Sequence, residues 1–491
     1  MALVPLAPET RNLIDGKLVP ASNGNTFQNQ NPATEEILGE VADGTKDDML
    51  AAVDAARRAF DESDWSENHE FRAKCVRQLY EGMLEEKEQL RSIVVNEAGA
   101  CVSLSGFMHV DNPIEMMAYW ADKAASYPYE QPMSQVEFAG SLHGRLLRRE
   151  AAGVVGAITP WNVPLYLNIA KLGPALASGC TLVLKPAPDT PWSATHLGKI
   201  IAEKTDIPAG VCNIVASSDH LTGEILSSDP RIDLVTFTGS TATGRRIMEC
   251  AAPTLKKVFL ELGGKSANIV LDDAKFEAVV PAAAFSCSHG GQGCAITTRL
   301  LVPRTRYEQS LELVKTAFEN WNYGDPLDPA NLQGPLISKR QQERVLGYIE
   351  KGKQEGARLL TGGGKPSHLE KGWFVEPTVF ADVDPDSTIA QEEIFGPVLC
   401  VIPFEDDDDA VRIANNSVYG LSGAVTSGDL DRALSVAKRI RTGTISVNGG
   451  QWFHVDSPFG GYKQSGLGRE NGLQGFEEYL ETKMIGLPAK G

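Results

Sequence analysis

The stretch LVTFTGSTATGRRI, residues 234–247, decides the reading of the chain. Its run Leu234–Thr238 suits a strand, Gly239-Ser240 breaks the run, and a helical pattern begins near Gly244. A strand feeding directly into a helix is half of a βαβ unit, so the spacing predicts a parallel sheet and an α/β fold. Backbone N–H groups at such a junction, with the Ser240 hydroxyl beside them, suit a pyrophosphate. A purely structural Gly-Ser turn is the alternative, and the spacing differs from the usual GxGxxG fingerprint.

The same rhythm extends outward. Upstream, GVVGAIT (153–159), CTLVLKP (180–186) and CNIVAS (212–217) are short β-rich runs separated by helical stretches. From Asp47 to Met117 apolar residues recur at helical spacing, and 134–150 (SQVEFAGSLHGRLLRRE) alternates like a β-hairpin. Downstream, a second cycle is expected from VFLELGG (258–264) and NIVLDD (268–273) through RLLVP, helices at 304–322 and 338–356, VLCVIPF and GTISVN. The acidic run 405–409 (EDDDD) reads as a solvated helix start, which the helix dipole favours.

At 491 residues the chain is long enough for several structural units with sizeable cores. Lys and Arg number 46 against 64 Asp and Glu, and a net charge of −18 disfavours nucleic acid or an anionic membrane as partner. The eight cysteines are scattered without a CxxC pair, so neither a disulfide framework, a zinc ribbon nor any other metal site is expected. A reducing, cytoplasmic setting follows, and MALVPLAPETR lacks the features of a signal peptide. Residues 151–170 carry no charge, but their prolines and Thr-Pro-Trp-Asn turn argue against a membrane helix.

Four groups could carry chemistry. In TPWNVP (159–164) two prolines restrict the backbone around Asn162, which fixes an amide donor of the kind an oxyanion needs; a rigid Asx-capped turn is the bland reading. Glu261 ends an apolar run before two glycines, where desolvation raises a carboxylate toward the range of a general base. Cys294 stands between Gly293 and Ala295 in GGQGCAITTR (290–299), neighbours that leave the sulfur open. His289 offers a rival partner for that thiol, as in a Cys/His hydrolase.

Together, ITPWNVP, LKPAPDTPWS, FTGSTATG, LELGGKS, GGQGCAITTR, EEIFGPV and SPFGGYKQSGLGRE resemble the aldehyde dehydrogenase superfamily, from about Asn12 to Lys483. The resemblance implies two Rossmann-like three-layer α/β domains plus a small β oligomerisation hairpin. Residues 1–122 and 146–260 would form the cofactor-binding domain, 261–458 the catalytic domain, and 123–145 with 470–491 the bridge of a homodimer or homotetramer.

It further implies oxidation of an aldehyde through a Cys294 thiohemiacetal and thioester, with Asn162 in the oxyanion hole, Glu261 activating water, and Lys171 and Glu481 as a proton relay. Ile158, Thr159, Trp161, Lys185, Gly239, Ser240, Leu262, Gly263, Glu393 and Phe395 would hold the nicotinamide cofactor. Pro188 stands where NAD-preferring members commonly carry a ribose-binding Glu. Asp189 and Asp219 would repel a 2′-phosphate, so NAD is expected, with NADP as the alternative. The substrate walls would be His109, Val163, Tyr166, Leu167, Trp452 and Phe453, suiting a hydrophobic or aromatic aldehyde over a carboxylated semialdehyde. A thiol hydrolase built on Cys294 and His289, or a non-catalytic member of the fold, are the alternatives.

Overall fold

A computed structural model describes residues 3–488. Its largest sheet has eight strands in the order Gly466–Leu467, Lys257–Glu261, Leu234–Thr238, Val154–Ile158, Thr181–Lys185, Cys212–Ile214, Asn12–Ile14, Lys17–Val19. The five strands from Lys257–Glu261 to Cys212–Ile214 are parallel, and antiparallel pairs close both edges. Helices cover both faces, which is why these strands read as near-continuous apolar runs.

The second sheet runs Arg358–Thr361, Thr378–Ala381, Val398–Phe404, Thr297–Pro303, Ser266–Val270, Gly423–Thr426, Ser446–Val447, and is parallel except for its first pair. A third, antiparallel sheet joins Glu130–Phe138, Ser141–Ala151 and Leu480–Pro488. It stands out from the body, with Phe138 74% exposed and Met484 52% exposed.

The two α/β sheets and the outlying hairpin match the expected architecture, and three details differ. VFLELGG belongs to the first sheet: Lys257–Glu261 pairs in parallel with Leu234–Thr238, so the second cycle starts at Ser266. The chain also returns to the first sheet at Gly466–Leu467, beyond the expected catalytic range of 261–458. Finally, the hairpin's second strand continues to Ala151, past the expected limit of 145, because it pairs with the C-terminal strand along its length. Residues 1–2 and 489–491 of the expected ranges lie outside the described residues.

The uncharged segment 151–170 divides into the strand Val154–Ile158 and the helix Pro164–Ser178; among the described residues no helix is long and apolar enough to cross a membrane. The acidic run opens the helix Asp407–Asn415, where Asp406 caps the backbone of Asp409.

Gly466 lies opposite Glu261 in the antiparallel edge pair. Its φ is +143°, and a Cβ there would stand 2.1 Å from the Leu260 carbonyl oxygen. Next to it, the Ser465 carbonyl accepts from Leu262 N–H at 2.9 Å, and the Ser465 hydroxyl donates to the Gly263 carbonyl at 2.7 Å. The edge strand thus clamps the end of the strand that carries Glu261. Gly466→Ala is expected to destabilise the fold by about 2 kcal/mol or more, combining strain with a backbone clash. Differential scanning fluorimetry should show a drop of at least about 2 °C in melting temperature; an unchanged melting point would show that the clamp is slack.

Candidate active site

In open parallel sheets ligands collect beyond the carboxyl ends of the strands. Here that edge presents Glu261 at the end of Lys257–Glu261, Asn162 in the turn after Val154–Ile158, and Lys185 at the end of Thr181–Lys185. Cys294 comes from the other domain, between the 3-10 segment Pro281–Gly291 and the strand Thr297–Pro303. Two cavities, of about 580 and about 470 Å³, open on either side of these groups. Asn162, Glu261 and Cys294 line both.

Cys294 is half-buried by area only because it opens into these cavities; protein surrounds it otherwise. Burial pushes its thiol well above the ordinary range, and the charge of Glu261 adds to the effect. Glu261 is buried, and neither carboxylate oxygen finds a hydrogen-bond partner in the protein. Burial, followed by the charge of Glu470, lifts its pKa well above the usual carboxylate value, while Lys171 opposes the rise.

The Asn162 amide donates one N–H to the Gln292 carbonyl at 3.0 Å, leaving its second N–H uncommitted. Gln292 is itself fixed, donating to the His289 and Pro335 carbonyls and accepting from Ile337 N–H at 2.9 Å. Glycines allow the close approach of the remaining parts. A Cβ on Gly264 would stand 2.7 Å from the Cys294 carbonyl oxygen, and one on Gly263 would stand 2.1 Å from Glu393 Oε2.

Of the expected cofactor residues, Trp161, Gly239, Ser240, Gly263, Glu393 and Phe395 line the larger cavity. Ser240 caps the helix Thr241–Ala251 by accepting from Thr243 N–H at 3.2 Å, and other first-turn N–H groups stay without intrahelical partners. Glu393 accepts from Gly264 N–H at 2.9 Å, and burial raises its pKa to about 7. Trp161 and Phe395 meet edge to face at 5.4 Å.

Ile158, Thr159, Lys185 and Leu262 stand outside this lining. Thr159 donates to Asn168 Oδ1, Lys185 to the Ser217 carbonyl at 3.3 Å, and Leu262 packs under Gly244. Burial lowers the Lys185 pKa to about 8, against the pull of Asp219 and Asp43. Sequence reading missed Arg340, Gln341 and Arg344 on the helix Lys339–Gln354. Gln341 donates to the Phe395 carbonyl and Arg344 to the Glu393 carbonyl, so both hold the EEIFGPV backbone.

All six expected substrate residues line the smaller cavity. Phe453 lies 5.5 Å from Tyr166 and 6.1 Å from Phe107, ring to ring, and Trp452 stacks on Phe459 at 5.6 Å. Phe107, Phe285 and Phe459 add aromatic surface, and no Lys or Arg is among the lining residues.

Residues 18–485 match the profile of the Aldehyde dehydrogenase family. The chain belongs to that family. It is 42% identical to the 3-succinoylsemialdehyde-pyridine dehydrogenase of a Pseudomonas species, over 96% of this chain and 97% of that one. The Mycobacterium tuberculosis aldehyde dehydrogenase complexed with NAD+ superposes with a TM-score of 0.94 at 42% identity, covering 99% of both chains. A cysteine-to-alanine mutant of aldehyde dehydrogenase C from Pseudomonas syringae, complexed with NAD+ and octanal, superposes with a TM-score of 0.92 at 40% identity, covering 98% of both. This protein is thus an aldehyde dehydrogenase, an oxidoreductase of the NAD(P)-dependent kind.

Within the dehydrogenase, the two residues expected to form a proton relay lie in different surroundings. Lys171 is fully buried and donates to Glu470, also buried, while stacking over the Phe259 ring at 4.5 Å. Glu481 instead lies on the exposed C-terminal strand, 3.4 Å from Lys257. Glu470 was in view as the last residue of SPFGGYKQSGLGRE, but only the return of that segment to the first sheet brings it beneath Glu261.

The rival base fares worse: His289 Nε2 faces the Asn162 carbonyl oxygen at 2.6 Å, no hydrogen bond joins it to Cys294, and burial lowers its pKa to about 4. Removing one partner of a buried ion pair strands the other, so Lys171→Met should cost about 3–5 kcal/mol. Glu481→Gln should stay within about 0.5 kcal/mol. Urea unfolding of both variants checks this; equal losses would return Glu481 to the relay.

Proposed function

We propose that the dehydrogenase oxidises a hydrophobic or aromatic aldehyde to its carboxylic acid, with NAD favoured over NADP. In this reading Cys294 is the nucleophile, Glu261 the general base and Asn162 an oxyanion donor. The wall that Asn162, Glu261 and Cys294 share between the two cavities carries the reading. A thiol on such a wall meets an aldehyde from one side and a cofactor from the other.

The larger cavity fits a dinucleotide: a capped helix N-terminus at Ser240 suits phosphate, and Glu393, Phe395 and Trp161 suit a ribose and a flat ring. When bound there, the nicotinamide accepts the aldehyde hydrogen together with its electron pair. The chain's own residues do the rest. Glu261, its pKa raised by burial, takes the thiol proton, and Cys294 Sγ bonds to the carbonyl carbon while the C=O pair moves onto oxygen. The free Asn162 N–H and the Cys294 backbone N–H hold that oxyanion.

After hydride loss the acyl group remains on Cys294 as a thioester. Having passed the thiol proton on, Glu261 then accepts a proton from water as the water oxygen attacks the thioester carbon, the C–S bond breaks with its electrons returning to sulfur, and the acid leaves. The Lys171–Glu470 pair lies behind Glu261 to pass that proton on.

Asp219 and Asp43 near Lys185, with half-buried Asp189, place negative charge beside the strand-end pocket and favour NAD over a 2′-phosphorylated cofactor. The absence of Lys and Arg among the smaller cavity's lining residues leaves a carboxylated semialdehyde without a counter-charge, and the octanal held by the Pseudomonas syringae relative points the same way. Eight free thiols suit a reducing cytoplasm. The exposed three-stranded sheet suits pairing between subunits of a homodimer or homotetramer.

Rapid mixing with an aromatic aldehyde tests the chemistry. Glu261→Gln should give one burst of reduced cofactor followed by slow turnover, Cys294→Ala should give none, and kcat/KM should be higher with NAD than with NADP. Full steady-state rate in Glu261→Gln would remove the base assignment. Light scattering should give a mass at least twice the 52.9 kDa monomer; a monomer would refute the bridging role of the sheet.

A further inference from the structure

The smaller cavity is apolar apart from a few groups, and most of these are committed. Asn162, Glu261 and Cys294 serve the chemistry, and Gln292 is tied to three backbone partners. Gln451 accepts from the Trp452 and Phe453 N–H groups and Tyr166 from the Asn471 amide, so the Ser288 hydroxyl and two imidazoles remain; the imidazoles, His109 and His289, meet edge to face at 4.6 Å. Burial holds both below the ordinary histidine range, so both are neutral.

Their tautomers follow from their surroundings. His289 Nε2 lies 2.6 Å from the Asn162 carbonyl oxygen, which only accepts, so Nε2 carries the hydrogen and Nδ1 is a bare lone pair. His109 Nδ1 is enclosed and has no partner. An enclosed N–H without an acceptor is more costly than an unused lone pair. The single hydrogen of His109 therefore sits on Nε2, the nitrogen left toward the cavity. His109 also closes a π-helical turn, Ser105–His109, a geometry that recurs at functional sites.

No hydrogen bond among the described residues engages His109 Nε2, so its N–H lacks an acceptor until a ligand in the cavity brings one. We propose that His109 Nε2–H reads a neutral oxygen carried by the substrate, so that the preferred class is an aromatic aldehyde bearing a hydroxyl or alkoxy group on its ring. Tyr166, Phe107, Trp452 and Phe453 supply the faces for that ring. A carboxylate in the oxygen's place is disfavoured, because no cation is among the lining residues and Glu261 is. This rests on the aldehyde-oxidising reading above and refines its substrate.

The test compares kcat/KM for 2-, 3- and 4-methoxybenzaldehyde with that for the ethyl-substituted aldehyde of the same pattern. The methoxy member should win at one ring position by about fivefold or more, mainly through KM. His109→Phe should bring that ratio to about one, while His109→Gln, which keeps an N–H donor, should retain part of it. A wild-type ratio near one at all three positions overturns the proposal, as does an undiminished ratio in His109→Phe. Cofactor reduction with the ethyl compounds shows that the underlying reading stands in either case; no reduction with any aldehyde removes both.

Discussion

A carboxylate with no hydrogen-bond partner, held in the interior where two cavities meet, is the constraint around which the molecule is organised. Glu261 has both oxygens free, and such a group is stable in its charged form only with a counter-charge nearby. Lys171 supplies that charge from the helix Pro164–Ser178, yet Glu470 has already claimed it. The result is two buried carboxylates sharing one ammonium, which raises the Glu261 pKa. Were Glu470 absent, Lys171 would pull Glu261 toward a permanently charged carboxylate and a weaker base.

The surrounding backbone is arranged so that this carboxylate stays unpartnered but reachable. Gly263 and Gly264 remove the side chains that would fill the space between Glu261, Glu393 and the Cys294 loop. Ser465 and Gly466 occupy the free hydrogen-bonding edge of the strand, which keeps its end from fraying into the cavity. Asn162 shows the complementary device: one amide N–H is spent on Gln292 so that the other has a fixed direction. The prolines on either side of Trp161-Asn162 then restrict the backbone that carries it.

Much of this was legible in the residues, because the deciding signals are local. Strand runs ending in glycine placed the sheet edge, and the small neighbours of Cys294 marked an open thiol. The pairing of Lys171 with Glu470 was not legible, since Glu470 and Glu481 are equally plausible carboxylates in a tail whose path depends on long-range pairing. Only the antiparallel contact of Gly466–Leu467 with Lys257–Glu261 brings Glu470 inward and leaves Glu481 on an exposed strand. Arg340, Gln341 and Arg344 escaped for the same reason: an amphipathic helix start looks solvated until the domain opposite is folded against it.

The two cavities differ in chemistry although they share a wall, and that asymmetry follows from the fold. The larger one opens at strand ends and a helix N-terminus, where backbone N–H groups and charged side chains gather. The smaller one is bounded by the turn Ser105–His109, the first turn of Pro164–Ser178, residues 285–296 and the segment carrying Trp452 and Phe453, which line it mostly with apolar and aromatic side chains. A thiol between them needs its charge suppressed until a carbonyl arrives, since a free thiolate beside Glu261 would repel it. The burial that raises the Cys294 and Glu261 pKa values together meets that need: the sulfur gives up its proton to Glu261 as the new bond to carbon gives the electrons somewhere else to go.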